Sequence, residues 1–285
     1  MSGENPETVA ARLTGRAVVA RRRLTGAVTE VALDGGPVVV KDAGSAGAAR
    51  AEAAGLDWLG QAGAVRVPGV RGREGQWLAT GSVPEGRPDA ATALRFGREL
   101  ATLHAAGADA FGAPPPGGPA DAYIGAAPMS NVPGDNWPDW YARHRVLPYL
   151  RTAVDEGTLL SAEAAVIERV CERVDRLAGP AERPARLHGD LWSGNVLWGA
   201  DGHVWLIDPA AHGGHRETDL AMLQLFGCPH LTQVLEGYEQ AAPLAPDWRQ
   251  RVGLHQLFPL LVHAVLFGRS YAEQALATAR PYAGA

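Results

Sequence analysis

Short β-prone runs crowd the first third of the chain, and helical periodicities fill the rest. Ala17–Ala20, Thr29–Leu33 and Pro37–Lys41 are separated by Leu24–Val28 and Asp34–Gly36, so residues 16–42 are expected to form an antiparallel meander. Between residues 47 and 60, Ala49, Ala53, Leu56 and Leu59 recur at helical spacing. Glu52, four residues before Leu56, falls on that inward stripe, whereas Asp57 points away from it. Gln76–Ala79 reads as a further strand, and Thr80–Gly86, where Pro84 and Gly86 break it, suits a crossing between lobes. Asp89–His104 then reads as an amphipathic helix, with Leu94, Gly97, Leu100 and Leu103 on one side. Further helices are expected at 138–155, 161–178, 217–226, 230–241 and 248–281. The last would turn Leu254, Leu257, Phe258, Leu261 and Val265 inward and kink at Pro259. Within this helical region Val196–Trp198 and Val204–Ile207 flank Gly199–Gly202, which predicts a β-hairpin. The pattern therefore predicts an α+β chain of two lobes. Residues 1–83 would form a small antiparallel sheet with one helix, and residues 84–285 a larger, mostly helical lobe.

Composition narrows this picture in a few places. With 285 residues, 46% apolar and 20% charged, the chain can bury a substantial core. No run of about 18 apolar residues is present, so no membrane association is expected. Met1–Pro6 lacks a basic and then apolar leader pattern, which makes a cytoplasmic location the expectation. Cys171 and Cys228 lie far apart and are expected to be free, buried thiols. Residues 1–83 carry 10 Lys and Arg against 8 Asp and Glu, leaving 16 against 23 beyond them. A mildly basic front suits phosphates, and an acidic back suits cationic acceptors. The cluster Arg21–Arg23 is too short to argue for nucleic acid, and a monomer is expected.

The densest chemistry lies in Leu187-His188-Gly189-Asp190-Leu191-Trp192-Ser193-Gly194-Asn195, followed by Ile207-Asp208. Asp190 and Asn195 have the order and separation of a kinase catalytic loop, in which the aspartate orients the attacking hydroxyl and the asparagine holds magnesium. The intervening hairpin returns its ends to one place, so Asn195 and Asp208 become neighbours able to share a cation. Lys41 ends a Val-Val-Val-Lys strand of the kind that reaches nucleotide phosphates, and Glu52 on the inward helix face is its expected partner. In front of Lys41, the loop containing Gly26, Ala27, Val28 and Thr29 is expected to fold over the phosphates and donate N–H groups. Backbone groups of Gly81 and Val83 are expected at an adenine edge. His212 and His215 lack a clear third ligand and read as structural. Asp219 is expected to accept backbone N–H groups near residues 188–190, with His188 bracing the same loop. The segment Asn131–Trp137 would either flank a substrate or run over the surface, and Trp192 would either stack on a sugar or simply pack.

Together LHGDLWSGN, FGRELATLHA at 96–105, IDPAAHGGHRETDLAM at 207–222 and HQLFPLLVHAVLFGRSY at 255–271 resemble the fructosamine/ketosamine kinase family. These motifs span nearly the whole length. That resemblance implies a protein-kinase-like fold, use of ATP and Mg²⁺, and phosphate placed on the 3-hydroxyl of a fructosamine or ribulosamine adduct, leading to deglycation. It implies Asp190 as the catalytic group, Lys41 and Glu52 at the phosphates, and Asn195 and Asp208 on the metal. Trp192, His215, Glu217 and Trp137 are assigned to the acceptor. The glycine loop departs from G-x-G-x-x-G in having one glycine. Another small-molecule kinase, of the aminoglycoside or choline type, is the alternative, since it would use the same five residues.

Overall fold

The structure, a computed structural model, describes residues 4–284. It opens with a helix the sequence analysis did not anticipate, α1 (Pro6–Thr14). Asn5 caps it by accepting the Glu7 N–H, Pro6 starts it, and Gly15 ends it at φ 67°. Next come β1 (Val18–Arg23), β2 (Val28–Leu33), β3 (Gly36–Asp42), α2 (Ala46–Gln61), β4 (Val70–Glu74) and β5 (Trp77–Gly81). The strands form one antiparallel sheet in the order β1-β2-β3-β5-β4. β3 is thus central, and Lys41 stands on an interior strand rather than at an edge. α1 packs on one face of this sheet, where Val9 and Ala10 meet Val31, Val38 and Val40.

The remainder is mostly helical: α3 (Ala90–Ala105), β6 (Asp121–Ile124), β7 (Ala127–Ser130), α4 (Trp137–Tyr141), α5 (Leu147–Asp155), α6 (Ser161–Glu172) and α7 (Val174–Leu177). β8 (Ala185–Leu187), β9 (Val196–Trp198), β10 (Val204–Leu206) and β11 (His212–Gly214) follow, then α8 (Arg216–Phe226), α9 (Leu231–Ala241), α10 (Trp248–Phe267) and α11 (Arg269–Ala283). β9 and β10 pair as the expected hairpin. Three expected helices are divided. Residues 138–155 contain a π-helical turn at Ala142–Val146, and 161–178 is interrupted at Arg173. The long C-terminal helix turns at Gly268, whose φ of 91° only glycine adopts easily; Pro259 is accommodated within α10. Asn131–Trp137 runs over the surface at Val132, Pro133, Asp135 and Asn136 and is anchored at its two buried ends, Asn131 and Trp137. Asn131 is buried and accepts from the buried Arg145 at 2.8 Å, and Arg145 also lies over the Trp140 ring. No helix among the described residues is long and apolar enough to cross a membrane.

α3 and α9 cross through reciprocal glycines. A Cβ on Gly97 would lie 2.0 Å from the Val234 carbonyl oxygen, and one on Gly237 2.0 Å from that of Leu94. Gly97→Ala is therefore expected to destabilise by about 2–3 kcal/mol, because separating the helices outweighs the roughly 1 kcal/mol that alanine gains in helix propensity. Urea unfolding checks this: an unchanged or higher midpoint rejects the close-contact account.

Candidate active site

The sheet and the helical region meet along a cleft. They are tied by Gly86 N–H to Trp198 O at 2.6 Å and Ala200 N–H to Pro84 O at 2.8 Å. A cavity of about 390 Å³ lies under the sheet, walled by Val28, Lys41, Leu78, Val83, Asn195 and Asp208 among others. A second, of about 270 Å³, adjoins it and shares Lys41, Glu52, Trp192, Asn195 and Asp208, adding Asp190 and Tyr123. The two expected metal carriers thus face common space.

Lys41 Nζ lies 2.8 Å from Glu52 Oε2 and 3.0 Å from Asp208 Oδ1. Burial works against its charge, but these two carboxylates outweigh burial and raise the ammonium pKa. Burial, opposed by Lys41, pushes Glu52 up to about 7. Asp57 is exposed, as its place on the helix wheel requires.

The loop from His188 to Asn195 is held by its own backbone and by groups beneath it. Asn195 Nδ2 donates to Asp190 O at 2.8 Å and to Asp190 Oδ2 at 3.1 Å. Burial raises the Asp190 carboxyl to about 7, with Asp208 and Asp219 adding to the shift and the Asn195 bond opposing it. Asp219 accepts the N–H groups of His188 and Gly189 at 2.8 and 3.0 Å, and lies 3.2 Å from His104 Nε2. Burial alone would raise the Asp219 carboxyl, yet the bonds from His104 and the loop bring it below the ordinary range. His188 donates from Nε2 to Ile207 O and accepts the Asp190 N–H at Nδ1, an arrangement of the neutral ring, and burial lowers its pKa. Gly189 has no alternative: φ is 82°, and a Cβ would lie 2.2 Å from Ala210 O.

Asp208 adopts φ 52°, uncommon for a side-chain-bearing residue, at the end of the hairpin where Ile207 N–H meets Asn195 O at 3.1 Å. Because the Asn195 amide nitrogen is turned onto Asp190, its carbonyl oxygen remains an acceptor. With the Asp208 carboxylate, this is an all-oxygen donor set suited to a hard divalent cation.

Three residues expected at the acceptor lie outside the lining of the cleft, and Thr29, expected to act through its backbone, turns its side chain away from it. Thr29 is buried on the opposite face of the sheet, since side chains alternate along β2; Val28 and Glu30 are the cleft-facing neighbours. His215, Glu217 and Trp137, expected at the acceptor, are buried and do not line either cleft cavity. Trp137 stacks on Tyr141 and His255, each at 4.7 Å between centroids. His215, Glu217 and His255 bring ligand-type atoms within 4.8 Å of one another, but both Glu217 oxygens accept from Arg251, at 2.9 and 2.5 Å, which makes the cluster an ion-pair site. Gly26 and Ala27 lie in the loop joining β1 and β2, where Ala27 O accepts the Asp42 N–H and Gly26 O accepts from Arg23. Gly81 and Val83 line the larger cavity.

Sequence reasoning missed Glu30, which accepts from Ser82 Oγ at 2.6 Å, and Tyr123 on β6. The β6–β7 hairpin was readable: Ile124 pairs with Ala127 across two residues, with Gly125 at φ 55°.

A five-stranded sheet over a helical lobe, with a lysine–glutamate pair facing an aspartate and an asparagine across a cleft, defines a kinase of the protein-kinase-like fold. The fructosamine kinase family profile matches residues 34–281, and the chain belongs to that family. A protein of Synechocystis sp. described as a probable ketoamine kinase is 35% identical over 232 residues, covering 79% of this chain and 75% of its own. The crystal structure of a candidate fructosamine-3-kinase from Thermobifida fusca superposes with a TM-score of 0.89 at 47% identity, covering 97% of this chain and 98% of its own. A choline kinase from Streptococcus pneumoniae shares the fold alone, with a TM-score of 0.68 at 15% identity, covering 97% of this chain and 99% of its own.

Proposed function

We propose that the protein transfers the γ-phosphoryl group of ATP, held with Mg²⁺, to the 3-hydroxyl of a ketosamine. The acceptor is a fructosamine or ribulosamine carried by a free or protein-bound amine, and the unstable 3-phosphate then releases the amine. The carrying observation is that Lys41, fixed by Glu52 and Asp208, shares one cavity with Asp190 and Asn195 in a chain of this family. Residues 1–83 form the nucleotide lobe in this reading, and residues 84–285 supply the loop and the acceptor site. Lys41 steadies the phosphates, Gly26 and Ala27 approach them from above, and Gly81 and Val83 present backbone to the adenine. Asn195 and Asp208 would hold the metal, which would supply charge neutralisation on the transferring phosphoryl group. Asp190 orients the acceptor hydroxyl and takes its proton, so catalysis is mainly alignment. Trp192 stands at the acceptor, and a cytoplasmic setting supplies the ATP.

An ADP-release assay over fructoselysine, ribuloselysine, free fructose, choline and an aminoglycoside tests this. Turnover is expected with the first two, with phosphorus NMR placing the phosphate on C3. Preference for choline or the aminoglycoside rejects the ketosamine assignment.

A further inference from the structure

Beside the acceptor cavity runs a strip of aromatic rings that phosphoryl transfer does not require. Trp192 lines that cavity with Asp190 and Gly125. Its indole meets Phe226 edge-on with centroids 6.3 Å apart, and Phe226 lies 4.7 Å from His263. His263 in turn meets Phe267 at 5.4 Å and Tyr271 at 5.0 Å. A second wall leads to the same place. Gly125, at the tip of the β6–β7 hairpin, is so close to α10 that a Cβ there would lie 3.6 Å from Leu266 Cδ1. Two separate walls of the cavity thus converge on the last turns of α10.

Phe267 is 64% exposed and Trp192 39%. Phe226, His263 and Tyr271 are half-buried; rings left in water forgo the stabilisation that burial would give, and an aromatic chain exposed at Trp192 and Phe267 and adjoining a cavity marks a binding surface. His263 extends the strip as a flat neutral ring: its Nδ1 bonds to Pro259 O at 2.8 Å, and burial lowers its pKa. A ketosamine has two ends. With its reacting hydroxyl at Asp190, the substituent on its amine that passes Trp192 and Gly125 emerges onto these rings.

We infer that Trp192, Phe226, His263, Phe267 and Tyr271 bind the amine-borne substituent, so that ketosamines of aromatic or extended apolar amines are preferred over those of small amines. This rests on the ketosamine function proposed above. Aromatic faces give such substituents both apolar contact and favourable ring geometry.

The test compares fructosyl-phenethylamine with fructosyl-ethylamine, which differ only in the group reaching the strip. Wild-type protein is expected to favour the phenethyl adduct about tenfold in kcat/KM, equivalent to about 1.4 kcal/mol. In Phe267→Ala and in Tyr271→Ala the ratio falls toward one. Partial unfolding would lower both adducts together and leave their ratio unchanged, so the ratio reads the strip itself. Equal turnover of the two adducts by wild-type protein, or a ratio preserved in both variants, overturns the inference while sparing the proposed function. Turnover of neither adduct overturns both.

Discussion

Asp190→Asn is expected to lower kcat about 10²- to 10⁴-fold while raising the unfolding temperature of the nucleotide-free protein at pH 8. The activity loss follows from geometry. Asp190 lies beside Asn195 and lines the smaller cleft cavity, and an amide there can still accept from Asn195 Nδ2 but cannot take a hydroxyl proton. The stability gain follows from electrostatics. Burial, with Asp208 and Asp219 nearby, raises this carboxyl from its ordinary 3.8 to about 7. A group whose folded pKa lies above its unfolded one costs stability when it ionises. That cost is absent below about pH 4, grows as pH rises toward 7, and is complete above it. At about 1.4 kcal/mol per pKa unit, reduced by the water that enters an open cleft, the substitution is worth about 2 kcal/mol at pH 8, or about 5 °C. Thermal unfolding at pH 8 and pH 5 with a parallel ADP-release assay checks both halves. Retained turnover removes Asp190 from its proposed role, and a stability change independent of pH removes the electrostatic account.

What was legible in the sequence was what chemistry ties to short spacing. Asp190 and Asn195 are five residues apart, and the hairpin that carries Asp208 back to them is announced by two apolar runs around a glycine-rich turn. Glu52 could be paired with Lys41 because one helical wheel places it inward and Asp57 outward, and the ion pair has that geometry. The fold class was readable for the same reason: period-two runs with a single helical stretch fill the chain up to about residue 83, and helical spacing dominates from residue 89 onward.

Other features were hidden for separate physical reasons. Strand alternation decides that Thr29 faces away from the cleft, but its phase depends on which face of the sheet α1 covers, and α1 went unread despite Asn5-Pro6-Glu7. The turn at Gly268 is a single glycine inside an otherwise continuous helical pattern. His215 and Glu217 sit in a motif adjacent to chemistry, which made an acceptor role plausible from sequence. The actual partner of Glu217, Arg251, is 34 residues further along the chain, a separation no local pattern reports.

That buried ion pair carries the largest expected stability loss. Glu217 and Arg251 are nearly inaccessible, with side chains 3% and 7% exposed, and their two hydrogen bonds of 2.9 and 2.5 Å join the first turn of α8 to α10. Burial alone would raise the Glu217 carboxyl, but the close approach of His255 and the guanidinium of Arg251 bring it down to about 2. Its folded pKa is therefore depressed. The stabilisation is complete above the ordinary 4.5 and is lost as pH falls toward 2. Glu217→Ala leaves a guanidinium buried without its counterion, which costs about 3–5 kcal/mol, or about 10 °C in unfolding temperature. Removing both charges should cost far less than removing one, because the penalty belongs to the unpaired ion rather than to the lost bond. Calorimetry on Glu217→Ala and on Glu217→Leu combined with Arg251→Met separates the two. A double variant clearly more stable than the single one is expected, and one no more stable would assign the loss to packing between α8 and α10 instead of to the stranded charge.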